Sequence, residues 1–321
     1  MMHILVPLDG SRHAEYALGP AAQLARHTIP PTTVTLLRVE TIMPMMISLV
    51  GMDVPYSPAP MTDRAECEHY LAALALHPIL AGVTVEQRVA AGPTAEAICQ
   101  QAQALSVDLI MMTSHGRSGL ARATLGSVAE TVVQHSHVPT MILRPDAPAF
   151  VASPTQDRLT ILVPLDGSSR AETSLPSARM LAQAVGGTLL LLQVLSSLPE
   201  MLDEEREPVQ QAKAYLEGLQ HRLVAEGITA TYRLAWGDPA TEIGTTAQAE
   251  DCALIAMSTH GRSGLAKMVL GSVATEVLRQ THRPMLIVNP LRHEAGASAT
   301  HVGRTDNASG DGAKHAQVTS I

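Results

Sequence analysis

Two short stretches, each written twice, hold the residue types that could bind an anion. One is Pro7-Leu8-Asp9-Gly10-Ser11, repeated as Pro164-Leu165-Asp166-Gly167-Ser168. The other runs from Thr113-Ser114-His115-Gly116-Arg117 to Gly126-Ser127-Val128, and recurs from Ser258-Thr259-His260-Gly261-Arg262 to Gly271-Ser272-Val273. Glycines let a backbone approach a ligand closely. A helix starting at Gly126 or Gly271 would aim its unpaired N–H groups at an anion, with its dipole favouring the charge. Ser127 and Ser272 add hydroxyl donors. The constellation reads as a phosphate cradle, although a lone glycine turn is weak evidence and is often only a tight turn.

Plainer roles stand beside these. Asp9 and Asp166 each precede a glycine, a common turn pair. Arg117 and Arg262 are either two-pronged phosphate donors or solvated loop residues. His115 and His260 read as groups that orient the loop, because a general base needs geometry before pKa. No G-x-S-x-G elbow, Walker lysine loop or repeated acid pair occurs, so no efficient catalysis is expected. Among the 14 histidines, His135-Ser136-His137 repeats only as Gln280-Thr281-His282, and no H-E-x-x-H or Cys/His cluster appears. No dedicated metal site is therefore expected.

The elements that must position these residues follow from the repeat. Asp9 and Asp166 are 157 residues apart, whereas Gly126 and Gly271 are 145 apart, so the first copy is longer by 12. One domain is written twice; a solenoid would repeat every 20–50 residues. The first copy reads as strands over 3–8, 33–39, 83–89, 108–113 and 139–144, with helices over 11–26, 62–80, 94–105 and 127–136. The second reads as strands over 160–165, 188–194, 229–235, 252–258 and 284–289, with helices over 169–184, 204–226, 239–249 and 272–281. Apolar runs such as Leu109-Ile110-Met111-Met112 suit a parallel sheet covered on both faces. The alternation predicts an α/β fold of two doubly wound, Rossmann-like domains, each of about five strands and four helices. Ser11, Ser168, Thr94 and Asp238-Pro239 supply helix-start signals. The acidic run Asp203-Glu204-Glu205 suits a solvated helix start.

The chain has 321 residues and 34.0 kDa, room for about two domains. We expect domains over 1–146 and 159–290, a proline-bearing linker over 147–158 and a disordered tail over 291–321. A net charge of −8 argues against a nucleic-acid coat. One Phe, one Trp and five Tyr leave almost no rings for base stacking. Cys67, Cys99 and Cys252 lie far apart without a C-x-x-C, which suggests a reducing, cytoplasmic setting. No signal peptide or membrane span is expected. The Met-rich segment 42–52 of the first copy reads as an apolar lid, or as an adaptable contact surface.

The spacing Gly116, nine residues, Gly126-Ser127, matched by Gly261, nine residues, Gly271-Ser272, resembles the nucleotide-loop signature of the universal stress protein family. The V-P-L-D-G-S and H-G-R-S-G-L-A blocks are similar to that family too. The resemblance covers roughly residues 2–145 and 159–290. It implies ATP or ADP, with Mg²⁺ carried by the nucleotide. Adenine would lie near Asp9 and Val39, or Asp166 and Val194, with Pro7 and Pro164 shaping the strand ends beside the ligand. The phosphates would lie over Gly116, Gly126, Ser127 and Val128, or Gly261, Gly271, Ser272 and Val273. Both copies depart from the signature where Thr113 and Ser258 replace its first glycine, next to the ribose; Thr crowds the sugar more than Ser. Ala129 and Ala274 lack a hydroxyl that helps in some members.

The resemblance also implies that the last strands of the two copies pair across a pseudo-twofold axis within one molecule, leaving a further homodimer open. It implies a nucleotide-responsive stress protein, regulatory or protective, with at most slow ATP hydrolysis. The rival readings are a scaffold of the same fold that acts through protein contacts and, more remotely, an adenylyl-transfer enzyme.

Overall fold

A computed structural model describes residues 2–28, 31–40, 63–114, 125–144, 159–196, 207–259 and 270–290, together with the backbone of 46–49 and 52–55. The first repeat contains β1 (His3–Leu8), α1 (Arg12–Glu15), α2 (Leu18–His27), β2 (Thr33–Glu40), β3 (Met46–Leu49), β4 (Met52–Pro55), α3 (Arg64–Ala75), β5 (Thr84–Ala91), α4 (Thr94–Ala104), β6 (Leu109–Thr113), α5 (Ser127–His135) and β7 (Thr140–Leu143). The second contains β8 (Thr160–Leu165), α6 (Ser169–Glu172), α7 (Leu175–Val185), β9 (Thr188–Leu195), α8 (Glu207–Ala225), β10 (Thr229–Trp236), α9 (Pro239–Ala249), β11 (Leu254–Ser258), α10 (Ser272–Gln280) and β12 (Met285–Val288).

Ten strands form one sheet, in the order β10-β9-β8-β11-β12-β7-β6-β1-β2-β5. Within each repeat the pairing is parallel, as the continuous apolar runs require. The repeats join where β7 and β12 pair antiparallel, with Met141 opposite Leu286 at the centre of the register. Two buried cores line the two faces, and each runs through both repeats. Leu216, Leu219 and Leu223 of α8 belong to one core, Ile243 and Ala247 of α9 to the other. The helix stripe Val209, Ala212, Leu216, Leu219, Leu223 shows why α8 forms there: spacings of three and four keep one apolar face on the sheet.

The long first helix expected in each repeat is two pieces. Pro20 and Pro176 lack the N–H that would bond to the carbonyls of Tyr16 and Glu172, and each ring crowds that carbonyl, so the helix breaks just before. The helix expected over 62–80 stops at Ala75, with Pro78–Leu80 forming a separate one-turn 3₁₀ helix capped by His77. Thr94 is not a cap: Pro93 holds that place and Thr94 is the first helical residue. Ser11, Ser168 and Asp238 do cap, each accepting a hydrogen bond from a main-chain N–H of the first turn. In the segment read as a lid, the backbone pairs β3 with β4 antiparallel. The linker, the tail and the acidic run at 203–205 lie outside the described residues.

Candidate functional site

The strand order turns around between β1 and β6 in the first repeat and between β8 and β11 in the second. Pairing of β1 with β6 is recorded at Ile4 and Leu5, two residues short of Pro7; pairing of β8 with β11 is recorded at Leu254–Ile161 and Ile255–Leu162, two residues short of Pro164. Proline is ordinarily excluded from central strands because it cannot donate to the ladder. Here the ladder to β6 or β11 has already ended, while pairing with β2 or β9 continues through Pro7–Leu37 and Pro164–Leu192. The sheet opens at the carboxyl ends of these strands, the place where ligands bind in open α/β sheets.

A cavity of about 270 Å³ occupies this crevice in the first repeat, and one of about 510 Å³ in the second. Pro7, Asp9, Val39, Thr113, Gly126, Ser127 and Val128 all line the first. Pro164, Asp166, Val194, Ser258, Gly271, Ser272 and Val273 all line the second. Residues far apart in the chain are thus brought together twice. Gly116 and Gly261, with His115, Arg117, His260 and Arg262, lie outside the described residues.

The turns after β1 and β8 explain the Asp-Gly pair. Asp9 Oδ1 accepts from the Ser11 main-chain N–H at 2.9 Å, and Asp166 Oδ1 from that of Ser168 at 3.0 Å. Gly10 and Gly167 have φ of 84° and 82°, a conformation that side-chain-bearing residues avoid. These aspartates therefore form turns and also face a cavity. Ser11 and Ser168 then cap α1 and α6 through their Oγ atoms.

Gly126 and Gly271 are different. Their φ/ψ of −65°/152° and −55°/151° suit any residue, so the backbone does not demand glycine. Both glycines instead line the cavities, at the mouths of α5 and α10. Neither helix has a side-chain cap, in contrast to α1, α3, α6 and α9. Their first N–H groups, uncapped, open on the cavity and favour negative charge. The Gly126 N–H donates to Ser114 O at 2.7 Å and that of Gly271 to Thr259 O at 2.6 Å, tying each helix start to the strand end before it.

The walls hold residues that sequence reasoning did not single out. Leu37, Ile98 and Met112 line the first cavity, and their counterparts Leu192, Ile243 and Met257 the second. Their apolar periodicity reads only as core. Ala14 and Ala171 come from the helix after the Asp-Gly turn. Gln193, which also lines the second cavity, takes the place of Arg38; the signal was a difference between otherwise matching copies.

A tyrosine–glutamate pair is repeated as well. Tyr70 donates to Glu15 at 2.9 Å and Tyr215 to Glu172 at 3.1 Å. Burial, and then the adjacent carboxylate, pushes both phenols well above their ordinary pKa. Arg38 donates to Leu8 O at 3.3 Å and lies 5.4 Å from the centre of the Tyr70 ring. Among the described residues, no group of three His, Cys, Asp or Glu side chains is placed to hold a metal ion, and no helix is long and apolar enough to cross a membrane.

A model of the Universal stress protein family matches residues 1–144 and again 158–289. A universal stress protein of Mycolicibacterium smegmatis is 26% identical over 305 residues, covering 89% of this chain and 97% of its own. Universal stress protein YxiE of Bacillus subtilis is 34% identical over 143 residues, 40% of this chain and 97% of its own length. The solved structure of an Archaeoglobus fulgidus universal stress protein shares the fold, with a TM-score of 0.61 at 22% identity, covering 89% of this chain and 96% of that one.

Proposed function

Because the chain belongs to the universal stress protein family, its match spanning both repeats, we propose that it is a stress-response protein that binds ATP or ADP in the cavities at the carboxyl edge of its sheet. One observation carries the reading: in each repeat seven residues expected to hold nucleotide line a single cavity onto which an uncapped helix start opens.

The residues present fit an adenine nucleotide. Ser127 and Val128, or Ser272 and Val273, would give main-chain N–H donors to phosphate oxygens, with the serine hydroxyls as further donors. Asp9 with Val39, or Asp166 with Val194, would hold the base between an acceptor and an apolar strand end. Mg²⁺ would arrive with the nucleotide, since it prefers phosphates to an all-protein cage. No group in the cavity is assigned to catalysis, and the nucleotide acts as a signal rather than a substrate. It changes the protein only as far as it binds one loop arrangement better than another.

The two sites are unequal. Ligand clefts typically run from about 300 to 1,000 Å³. The second cavity falls within that range and the first just below it. Ser258 and Gln193 in the second repeat stand where the first has Thr113 and Arg38. We assign the second repeat as the principal site. Acid release of small molecules from the freshly purified protein, followed by chromatography at 260 nm, tests the reading. Adenine nucleotide in stoichiometric amount supports it. A nucleotide-free protein that also fails to take up ATP or ADP contradicts it.

A further inference from the structure

The second cavity carries a polar group that its surroundings leave unsatisfied. Gln193 is 7% exposed and lines the cavity, and its Oε1 is buried without a hydrogen-bond partner among the described residues. Alternation along β9 turns Gln193 away from Leu192 and Val194, towards the side of α6, where Ala171 also lines the cavity. Gln193 has no equal at the matching position of the first repeat. Its counterpart Arg38 is spent on Leu8 O and the Tyr70 ring and does not line the first cavity. An amide oxygen buried without a donor is costly, and the simplest relief is a donor brought by a ligand.

Resting on the nucleotide reading above, we propose that Gln193 is the specificity-determining residue of the second cavity, its amide oxygen accepting a hydrogen bond from the exocyclic amine of adenine. The amide presents an acceptor beside a donor. Adenine presents its exocyclic amine donor beside the N7 acceptor, and the two edges match, as glutamine and adenine do in the DNA major groove. Hypoxanthine, with a carbonyl oxygen in place of the amine, offers two acceptors along that edge. It leaves the Gln193 oxygen unsatisfied. Sites built to hydrogen-bond a polar group reject the analogue that lacks it.

The test is calorimetric titration of the full chain with ADP and with IDP, in a Gly126→Val background that confines binding to the second cavity. Gln193→Met, similar in length and without polar atoms, is compared in the same background. ADP should bind about tenfold more tightly than IDP when Gln193 is present. In the Gln193→Met variant that preference should fall to about twofold or less, with IDP affinity little changed. Ligand-free Gln193→Met should melt no lower than its parent, because the substitution removes an unsatisfied oxygen.

A purely structural glutamine would instead lower the melting temperature and weaken both nucleotides equally. Equal affinity of the Gln193 protein for ADP and IDP overturns the assignment without any variant, as does an unchanged ratio in Gln193→Met. In both cases ADP still binds and the nucleotide reading stands. Failure of the unmodified chain to bind ADP overturns the nucleotide reading itself, and this proposal with it. Trp236, the one tryptophan in the chain, pairs with Leu195 on the cavity's rim and gives a fluorescence readout belonging to the second repeat.

Discussion

Arg144, just after the last strand of the first repeat, donates to the main-chain carbonyl of Leu278 at 2.9 Å, near the end of α10 in the second. It also reaches Thr281 O at 3.2 Å. The clamp is returned: Asn289, 145 residues further on, donates through its side-chain amide to Gln134 O at the end of α5. The helices whose starts open on the two cavities are thus each held, at their other end, by the opposite repeat. Arg144 is 8% exposed, so the carbonyls it serves have little access to water.

Replacing Arg144 with Ala should leave those carbonyls without their donor and lower the unfolding free energy by about 1–3 kcal/mol. Asn289→Ala removes the bond to Gln134 O and should cost about 1 kcal/mol. Denaturant midpoints with unchanged slopes would check both. An Arg144→Ala protein as stable as its parent would show that the clamp does not hold the repeats together.

Ile142 and Ile287 are almost fully buried, facing Met285 and Thr140 across the antiparallel seam. Asp at both positions would bury two carboxylates without partners. Each would cost several kcal/mol. The expected outcome is separation of the repeats, seen as a longer scattering envelope, or loss of the folded state. An unchanged envelope together with an unchanged melting curve would contradict the seam.

Alkaline pH should destabilise the protein through Tyr70 and Tyr215. Burial and the neighbouring Glu15 and Glu172 raise their pKa in the folded state above the ordinary tyrosine value of about 10. The folded chain therefore keeps protons that the unfolded chain releases. Their contribution is intact below pH 10 and is lost as pH rises beyond it. The chain with Tyr70→Phe and Tyr215→Phe should show a flatter loss of stability above pH 10 than the parent, measured by denaturant melts across the range. Identical alkaline slopes would remove these two phenols from the account.

Much of this was legible because the chain carries its own comparison. Two copies of V-P-L-D-G-S and of G-S-V-A at related offsets identified the strand ends and helix starts that meet in each cavity. The apolar runs of the sheet then fixed a parallel α/β fold. What escaped were features set by contacts between distant residues. Leu37, Ile98 and Met112 look like core in the sequence and become cavity wall only where β1 and β6 part. The break after α1 follows from Pro20, whose lost N–H outweighs a helix-like run of alanines and leucines. Thr94 was a plausible cap, but the residue before a helix is set by where the chain turns, and Pro93 takes that position.

The central claim is that the glycines at the mouths of α5 and α10 leave room for phosphate. Calorimetric titration of nucleotide-stripped protein with Mg·ATP, alongside a Gly126→Val, Gly271→Val double variant, tests it most directly. The backbone at both positions accepts valine, so the variant should fold and melt close to its parent. The account predicts saturable binding of at least one nucleotide per chain to the parent and none to the variant. A parent that takes up no nucleotide, or a variant that binds as tightly as its parent, would contradict it.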